Sequence, residues 1–163
     1  MEYAIEAMRP SDWDEVRSIY LEGISTGLAT LETDPGTWEK WNAAHLECHR
    51  LVARGSSSVL GWAALSPTSL RPVYNGVAEV SVYVGSRFQC CGIGKALLDT
   101  LIASSEKGGI WTLQAMIIAE NRSSISLHLR CGFRKVGLRE KLGKLSGKWH
   151  DVVLLERRSR IVA

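Results

Sequence analysis

Residues 80–98 contain the spacing that points most directly to chemistry. Two glycines, Gly92 and Gly94, follow a Val-rich run and a short polar loop, and an apolar helical repeat begins just after them. Backbone N–H groups in the first turn of a helix have no intrahelical acceptor, and the helix dipole favours negative charge there. Glycine lets an anion approach the backbone because no Cβ stands in the way. With Arg87 and Lys95 nearby, the pattern predicts a pyrophosphate site.

Two common phosphate-binding patterns do not fit this segment. The Walker pattern requires glycine at position 89 and serine or threonine at position 96, where the chain has Gln89 and Ala96. The dinucleotide fingerprint requires a third glycine at position 97, which is Leu97. What remains is a Gln-x-x-Gly-x-Gly pattern that follows a strand and opens a helix.

This pattern resembles the coenzyme A loop of the GNAT superfamily of N-acetyltransferases. A second segment, with Asn121 and Ser124 at the start of a predicted helix, resembles the next helix and strand of that superfamily. Further segments are similar to the phosphinothricin acetyltransferase family, and the similarity extends from the first strand to about residue 156. These segments are Ala29–Pro35, Ala78–Val84, Leu127-His128 and Gly147–Val152, whereas Gly132-Phe133 belongs to the superfamily segment that follows Asn121.

The resemblance implies acetyl-CoA as the acyl donor, a homodimer, and amine acceptors such as phosphinothricin, methionine sulfoximine or methionine sulfone. In the family the loop usually has polar or basic residues where this chain has Cys90 and Cys91, so the backbone donors are kept but a side-chain contact to phosphate is in question. Asn121 also suits a helix N-cap, and the two roles can coexist. The coenzyme-binding residues implied by the resemblance are Val82, Tyr83, Val84, Gln89, Cys90, Cys91, Gly92, Ile93, Gly94, Lys95, Asn121 and Ser124.

Acetylation of an amine needs a group that removes a proton, because free amines are protonated near neutral pH. By the resemblance, Glu79 is the general base. Strand alternation places it on the same face as Ser81, and a carboxylate in a Val-rich strand is costly to bury. An ion pair at the strand end is the alternative. His128 is the second candidate, either assisting the base or protonating the departing thiolate, and its alternative is a structural histidine on the helix surface.

Candidate acceptor residues lie in two predicted loops. Arg71 and Tyr74 precede the strand of Glu79, and an arginine there can clamp the carboxylate of an amino-acid acceptor, unless it is an ordinary exposed loop residue. Thr30 and Glu32 are weaker candidates for lining the same pocket. Backbone amides near Val82–Val84 are expected to stabilise negative charge on the reacting carbonyl oxygen, provided that their strand diverges from its neighbour.

The elements that must position these residues alternate along the chain. Apolar periodicity and turn residues predict a strand, two helices, three strands, then helix, strand, helix and two strands. This order indicates a mixed α/β domain around one central sheet, and the resemblance implies the GNAT fold, with that sheet flanked by about four helices, over residues 1–163. The predicted strands are 3–8, 50–54, 59–65, 77–84, 111–117, 133–142 and 149–156. The predicted helices begin near Asp12, with Glu15 in a capping box, and near Gly92, and cover 37–48 and 121–131.

Composition excludes several classes of protein. The 163 residues are 45% hydrophobic and 23% charged, as in ordinary globular chains, and no stretch approaches the length of a membrane span. A net charge of +3 is too small to indicate nucleic-acid binding. The four cysteines include an adjacent pair and are expected to be free thiols, and the N-terminus does not resemble a signal peptide. We therefore expect a cytoplasmic protein.

Two rival functions stay open. The acceptor can be a different amine, such as a protein N-terminus, a polyamine or an aminoglycoside. The chain can also be a non-catalytic acetyl-CoA-binding regulator, which would keep the loop glycines but would not need Glu79. No metal is expected, because His45, Cys48 and His49 lack a second ligand pair at a zinc-site spacing.

Overall fold

Seven strands of one mixed sheet and four α-helices form the fold, and the computed structural model describes all residues, 1–163. The strands are β1 Ala4–Ala7, β2 Leu51–Arg54, β3 Val59–Pro67, β4 Val77–Val84, β5 Thr112–Ile118, β6 Arg134–Leu145 and β7 Lys148–Arg158. The helices are α1 Trp13–Ser25, α2 Trp38–Ala44, α3 Ile93–Lys107 and α4 Arg122–Arg130. The predicted α/β architecture and order of elements are confirmed.

The sheet has the order β1-β2-β3-β4-β5-β7-β6, and β4–β5 is its one parallel pair. Parallel neighbours need a crossover, which α3 supplies. β4 pairs with β5 only from Val77 to Glu79, opposite Thr112 to Gln114. Beyond Glu79 the two strands have no further paired residues, so the sheet opens in its middle at the end of β4.

Hydrophobic residues cover both faces of the sheet. One face carries a 20-residue core that includes Leu97 and Leu101 of α3. The other face carries an eight-residue cluster beneath α1 and α2, in which Trp41 and Trp62 are almost fully buried. The alternation of β4 assigns its side chains to these layers, because Val80 belongs to the first core whereas Tyr83 packs against the second.

Two local predictions need correction. α2 ends at Ala44 rather than at residue 48, because His45 is extended and the Leu46 amide donates to the Leu65 carbonyl at 2.8 Å. Glu15 does not close a capping box; its carboxylate accepts the amide of Val59 at 2.7 Å instead. The Leu46 amide and the Glu15 carboxylate each bond to a residue distant in the sequence, and a local sequence pattern cannot predict such a contact.

The β6–β7 hairpin is longer than predicted, although its turn lies where expected. Ser146 and Gly147 both have positive φ, 49° and 82°, as a two-residue type I′ turn requires. Trp149 is 51% exposed and lies beside Lys144, so it is not part of the core. None of the helices combines the length and apolar character that a membrane crossing requires.

Candidate active site

The opening between β4 and β5 leaves backbone amides without partners. Gly85 donates its amide to the Leu60 carbonyl at 2.8 Å, so alternation turns the amides of Val82 and Val84 away from β3. Neither residue pairs with β5. The Tyr83 amide lies on the β3 side. Of the three residues expected to contact the coenzyme here, only Val82 and Val84 therefore offer amides to the gap.

Seven consecutive backbone amides, from residue 89 to residue 95, have no hydrogen-bond acceptor within the chain. The first backbone bond of α3 runs from the Ala96 amide to the Gly92 carbonyl at 3.0 Å, which leaves the amides of the first helical turn free. Cys90 and Gly92 have φ of 61° and 80°, and these left-handed residues curve the loop into the helix start. These free donors at the positive end of α3 suit a diphosphate.

Close packing at Gly94 holds this loop against the rest of the site. A Cβ added at Gly94 would lie 3.3 Å from Cδ2 of Leu127 and 3.6 Å from Cγ2 of Val84. The start of α3 therefore touches both α4 and the end of β4. The missing side chain brings the free amides of the loop next to those of the strand.

The two cations near the loop differ in their availability. Lys95 Nζ lies 2.5 Å from Asp99 Oδ2, and this carboxylate raises the pKa of Lys95. Asp99 thus offsets the positive charge that the sequence suggested for the site. Arg87 is exposed and forms no salt bridge, so it is the cation of the loop that is free to meet an anion.

Asn121 is the N-cap of α4, and both ends of its side-chain amide are used. Oδ1 accepts the backbone amide of Ser124 at 3.2 Å, as in other helix caps. Nδ2 donates to the carbonyl of Leu28 at 3.2 Å. The residue therefore joins α4 to the loop between α1 and α2.

Glu79 lies at the fork where the β4–β5 pairing ends. Its Oε2 accepts a hydrogen bond from Gln114 Nε2 at 2.9 Å, and Gln114 is its partner in the last parallel pair. No lysine, arginine or histidine lies within salt-bridge distance of the carboxylate, so the alternative of an ion pair is wrong. The side chain is partly exposed, and Oε1 is free to accept a proton.

His128 is buried, with 3% of its surface exposed, which rules out a surface histidine. Its Nδ1 lies 2.8 Å from the Ser124 carbonyl, and the ring packs edge-on against Phe133. Because a carbonyl only accepts, Nδ1 carries the hydrogen and Nε2 is the basic nitrogen. Burial lowers the pKa of His128, so the ring is neutral at pH 7. It forms no hydrogen bond with Glu79.

The loop between α1 and α2 brings Thr30 and Glu32 to the aromatic face of β4. The Tyr83 ring stacks on Trp62 at 4.8 Å, and its hydroxyl group lies near Thr30 and Tyr20. Burial raises the pKa of Tyr83, and the neighbouring Tyr20 and Glu32 act in the same direction. Alternation along β4 places Glu79 and Tyr83 on one face, so this loop covers the face that carries the candidate base.

Arg71 and Tyr74 lie together in the exposed loop before β4. The Arg71 guanidinium is 5.5 Å from the centre of the Tyr74 ring, and 44% of Tyr74 is exposed. Arg71 has no carboxylate partner in the chain and makes no hydrogen bond with Glu79. The structure thus associates these two candidates with each other rather than with Thr30 and Glu32.

The histidines near the end of α2 do not converge. His45 stacks on Trp41 with ring centres 4.1 Å apart, whereas His49 Nδ1 lies 2.7 Å from the Ser104 hydroxyl. No three His, Cys, Asp or Glu side chains are grouped to hold a metal ion.

Sequence reasoning missed three residues of the site. Gln114 interrupts the apolar run of β5, and that lone polar residue is a signal that could have identified it. Tyr20 shares the apolar stripe of α1 and carries no signal of its own. Leu28 contributes only its backbone carbonyl, which no residue type can reveal.

Comparison with known proteins agrees with this geometry. Residues 13–133 match the model of the acetyltransferase (GNAT) family. A phosphinothricin N-acetyltransferase of Streptomyces coelicolor is 35% identical over 154 residues, which cover 90% of each chain. A phosphinothricin N-acetyltransferase of Alcaligenes faecalis is 31% identical over 163 residues, covering 94% of this chain and 81% of the relative.

A solved structure gives the same result in three dimensions. The phosphinothricin acetyltransferase of Sinorhizobium meliloti, crystallised with acetyl-CoA, superposes with a TM-score of 0.87 at 28% identity, covering 97% of this chain and 89% of that one. The sequence match and the shared architecture cover nearly the whole chain. This chain therefore belongs to the GNAT family of acetyltransferases and, within it, to the phosphinothricin acetyltransferase group.

Proposed function

We propose that this chain transfers the acetyl group of acetyl-CoA to the amine of a small amino-acid-like acceptor, of the phosphinothricin, methionine sulfoximine or methionine sulfone type. The observation that carries the proposal is the row of free amides at residues 89–95, next to the opening at the end of β4. The names of the two curated relatives support the acceptor class.

The residues around the opening fit a coenzyme with a diphosphate and an extended arm. Amides 89–95 bind the diphosphate, Arg87 adds charge, and the free amides of Val82 and Val84 bind the arm as an extra strand would. Asn121 and Ser124, at the start of α4, also bind the arm. Acetyl-CoA, when bound, supplies a thioester that an amine can attack. Either strand amide can then stabilise negative charge on the carbonyl oxygen.

Glu79 removes the proton from the acceptor ammonium through its free Oε1. Gln114 holds Oε2, which fixes the direction of the carboxylate at the fork of the sheet. His128 serves as the second proton-transfer group through Nε2, the ring nitrogen that the Ser124 carbonyl leaves free. The attack is direct, so no acetyl group is carried by the protein.

The acceptor lies on the face of β4 that carries Glu79. Thr30 and Glu32 line it from the α1–α2 loop, and Tyr74 with Arg71 from the loop before β4. Because Arg71 has no carboxylate partner in the chain, it is free to bind the carboxylate of an amino-acid acceptor.

The reaction is tested with a panel of amino acids, their sulfone and sulfoximine analogues, and simple amines, assayed for thiol released from acetyl-CoA. We expect turnover with the analogues. In Arg71→Ala we expect KM to rise more for the carboxylate-bearing acceptors than for simple amines. Turnover confined to simple amines, polyamines or peptide N-termini would replace the proposed acceptor.

Glu79→Gln tests the base. Glutamine keeps the shape of the side chain and an oxygen for the Gln114 donor, so the fold is retained. We expect kcat to fall by about 10²–10⁴ while the Kd of acetyl-CoA stays unchanged. Glu47→Gln, at an exposed carboxylate outside the site, is the control. An unaltered rate and pH profile in Glu79→Gln would show that Glu79 is not the base. If the parent chain binds acetyl-CoA but turns over none of the acceptors, it is a regulator instead of an enzyme.

We also propose a cytoplasmic homodimer joined through β6. This edge strand is exposed along most of its length and carries the exposed apolar residues Val136 and Leu138. The outer backbone groups of an edge strand can pair with another strand, and Val136 and Leu138 can pack against a second copy of the chain. Light scattering should give twice the mass of the chain, and Leu138→Asp should shift it toward the monomer. A monomeric parent chain would contradict the proposal.

The proposed cytoplasmic location agrees with the four cysteines, which are all free, as expected in a reducing compartment.

A further inference from the structure

We infer that Cys90 and Cys91 form a site of reversible thiol–disulfide exchange with small anionic disulfides, and that the modified loop no longer binds the coenzyme. The pair lies inside the row of free amides, where the catalytic proposal gives neither thiol a task. The inference rests on the proposed function for its consequence, the loss of coenzyme binding, and not for the reactivity of the thiols.

Both thiols are accessible. Cys90 and Cys91 are exposed, and the neighbouring Gly92 has no atom within 4 Å of the position where a Cβ would stand. The only hydrogen bond of either side chain is a weak contact from Cys91 Sγ to the Gln89 carbonyl at 3.5 Å. A reagent can therefore reach the sulfur atoms without unfolding the loop.

Free donors and one unpaired cation around the pair favour a negatively charged reagent, while the nearby Glu22 carboxylate is held by the Ser86 amide at 2.6 Å. The amides of residues 89–95 have no acceptors in the chain, α3 begins at Ile93, and Arg87 is unpaired. Asp99, the carboxylate one turn after Lys95 on α3, is occupied by that lysine. A disulfide that carries carboxylates, such as glutathione disulfide, is held by the same donors that would hold a diphosphate.

The exchange is balanced without a further reactant. A cysteine of the pair loses its proton to solvent, and its sulfur attacks one sulfur of the disulfide. A protein–glutathione S–S bond forms and the S–S bond of the reagent breaks. The second glutathione leaves as a thiolate and takes up a proton, so the protein sulfur is oxidised and the leaving sulfur reduced.

The adduct places a tripeptide over the amide row. Because the modified sulfur belongs to a residue within 89–95, the glutathionyl carboxylates lie where the coenzyme diphosphate would bind. Coenzyme binding and modification are therefore mutually exclusive, and a reducing thiol restores the free loop.

The test treats the full chain with glutathione disulfide and follows the tryptic peptides 88–95 and 41–50, which contain the pair and the exposed Cys48, by mass spectrometry. We expect peptide 88–95 to react at least about tenfold faster than peptide 41–50. With the neutral bis(2-hydroxyethyl) disulfide, the ratio of the two reaction rates should fall toward unity. Inorganic pyrophosphate should slow the reaction of peptide 88–95 but not that of peptide 41–50. The Kd of acetyl-CoA should rise at least about tenfold on treatment and return with dithiothreitol.

Variants separate the pair from the other thiols. Cys48→Ser should respond to treatment as the parent chain does. In the double variant Cys90→Ser and Cys91→Ser, treatment should leave the Kd at its own untreated value. Equal reaction of both peptides, or a modified pair with unchanged Kd, would overturn the inference. If the untreated chain has no affinity for acetyl-CoA, the proposed function fails, and the labelling rates alone decide whether the exchange site exists.

Discussion

At the scale of single residues, the site depends on the absence of a side chain at Gly94. The position lies in the first turn of α3, with Leu127 on one side and Val84 on the other. A methyl group at 3.3 Å from Leu127 needs a small shift of a flexible side chain. A charged side chain at this position adds its charge within the row of amides at residues 89–95, where the diphosphate is proposed to bind.

Gly94→Asp and Gly94→Ala form a matched pair at this position. Both variants add a Cβ, but only aspartate adds negative charge beside the amides of residues 89–95. We expect the Kd of acetyl-CoA to be at least about tenfold higher in Gly94→Asp than in Gly94→Ala, equivalent to ~1.4 kcal/mol. Isothermal titration calorimetry measures both values. Equal affinities would show that the diphosphate does not bind here.

At the scale of elements, the loop between α1 and α2 is held from three sides. Asn121 of α4 binds the Leu28 carbonyl. Leu31 packs on Gly143 of β6, where a Cβ would lie 2.3 Å from its Cδ1. Thr30 lies by the Tyr83 hydroxyl of β4. Asn121 thus ties the loop over the proposed acceptor face to α4, the helix proposed to contact the coenzyme.

Asn121→Asp tests the hydrogen bond between Asn121 and the Leu28 carbonyl. Aspartate caps a helix as well as asparagine does, but it has no Nδ2 to donate to Leu28. At saturating acetyl-CoA we expect the KM of the acceptor to rise about fivefold, the effect of one lost hydrogen bond of ~1 kcal/mol, with little change in Tm. Ser126→Ala, on the exposed side of α4, is the control. An unchanged KM would show that the loop holds its place without Asn121.

At the scale of the whole molecule, one buried and two half-buried histidines link stability to pH. Burial lowers the pKa of His45, His49 and His128 below the usual value of 6.5. The unfolded chain therefore binds more protons than the folded chain once the pH falls below about 6.5. The stability that these neutral rings contribute is complete above about pH 6.5 and is lost progressively below it.

Urea unfolding between about pH 7.5 and about pH 5 measures this linkage. We expect the free energy of unfolding to be level above about pH 6.5 and to decline below it. Asp12 and Glu106 also have lowered pKa values, but their contributions are lost only below about pH 4.5. His49→Gln should reduce the slope of the free energy of unfolding against pH in this range, by the equivalent of up to one bound proton. A flat profile across this range would contradict the linkage.

Much of the site follows from patterns a few residues long. The free amides at the start of α3, the N-cap at Asn121 and the type I′ turn at Ser146-Gly147 each depend on residues within about four positions. Backbone hydrogen bonding at such short range leaves a clear mark in residue types, so the sequence by itself determines these features and the order of elements. The alternation that places Glu79 on its face has the same origin.

The contacts that make these parts a site join distant positions. Gln114 and Glu79 are 35 residues apart, and Asn121 and Leu28 are 93 apart. Such pairs exist only after α3 has brought β5 beside β4 and the sheet has taken its order. The point at which β4 and β5 separate, the burial of His128 and the partner of Glu15 depend on the packing of several elements at once, and no local pattern records them.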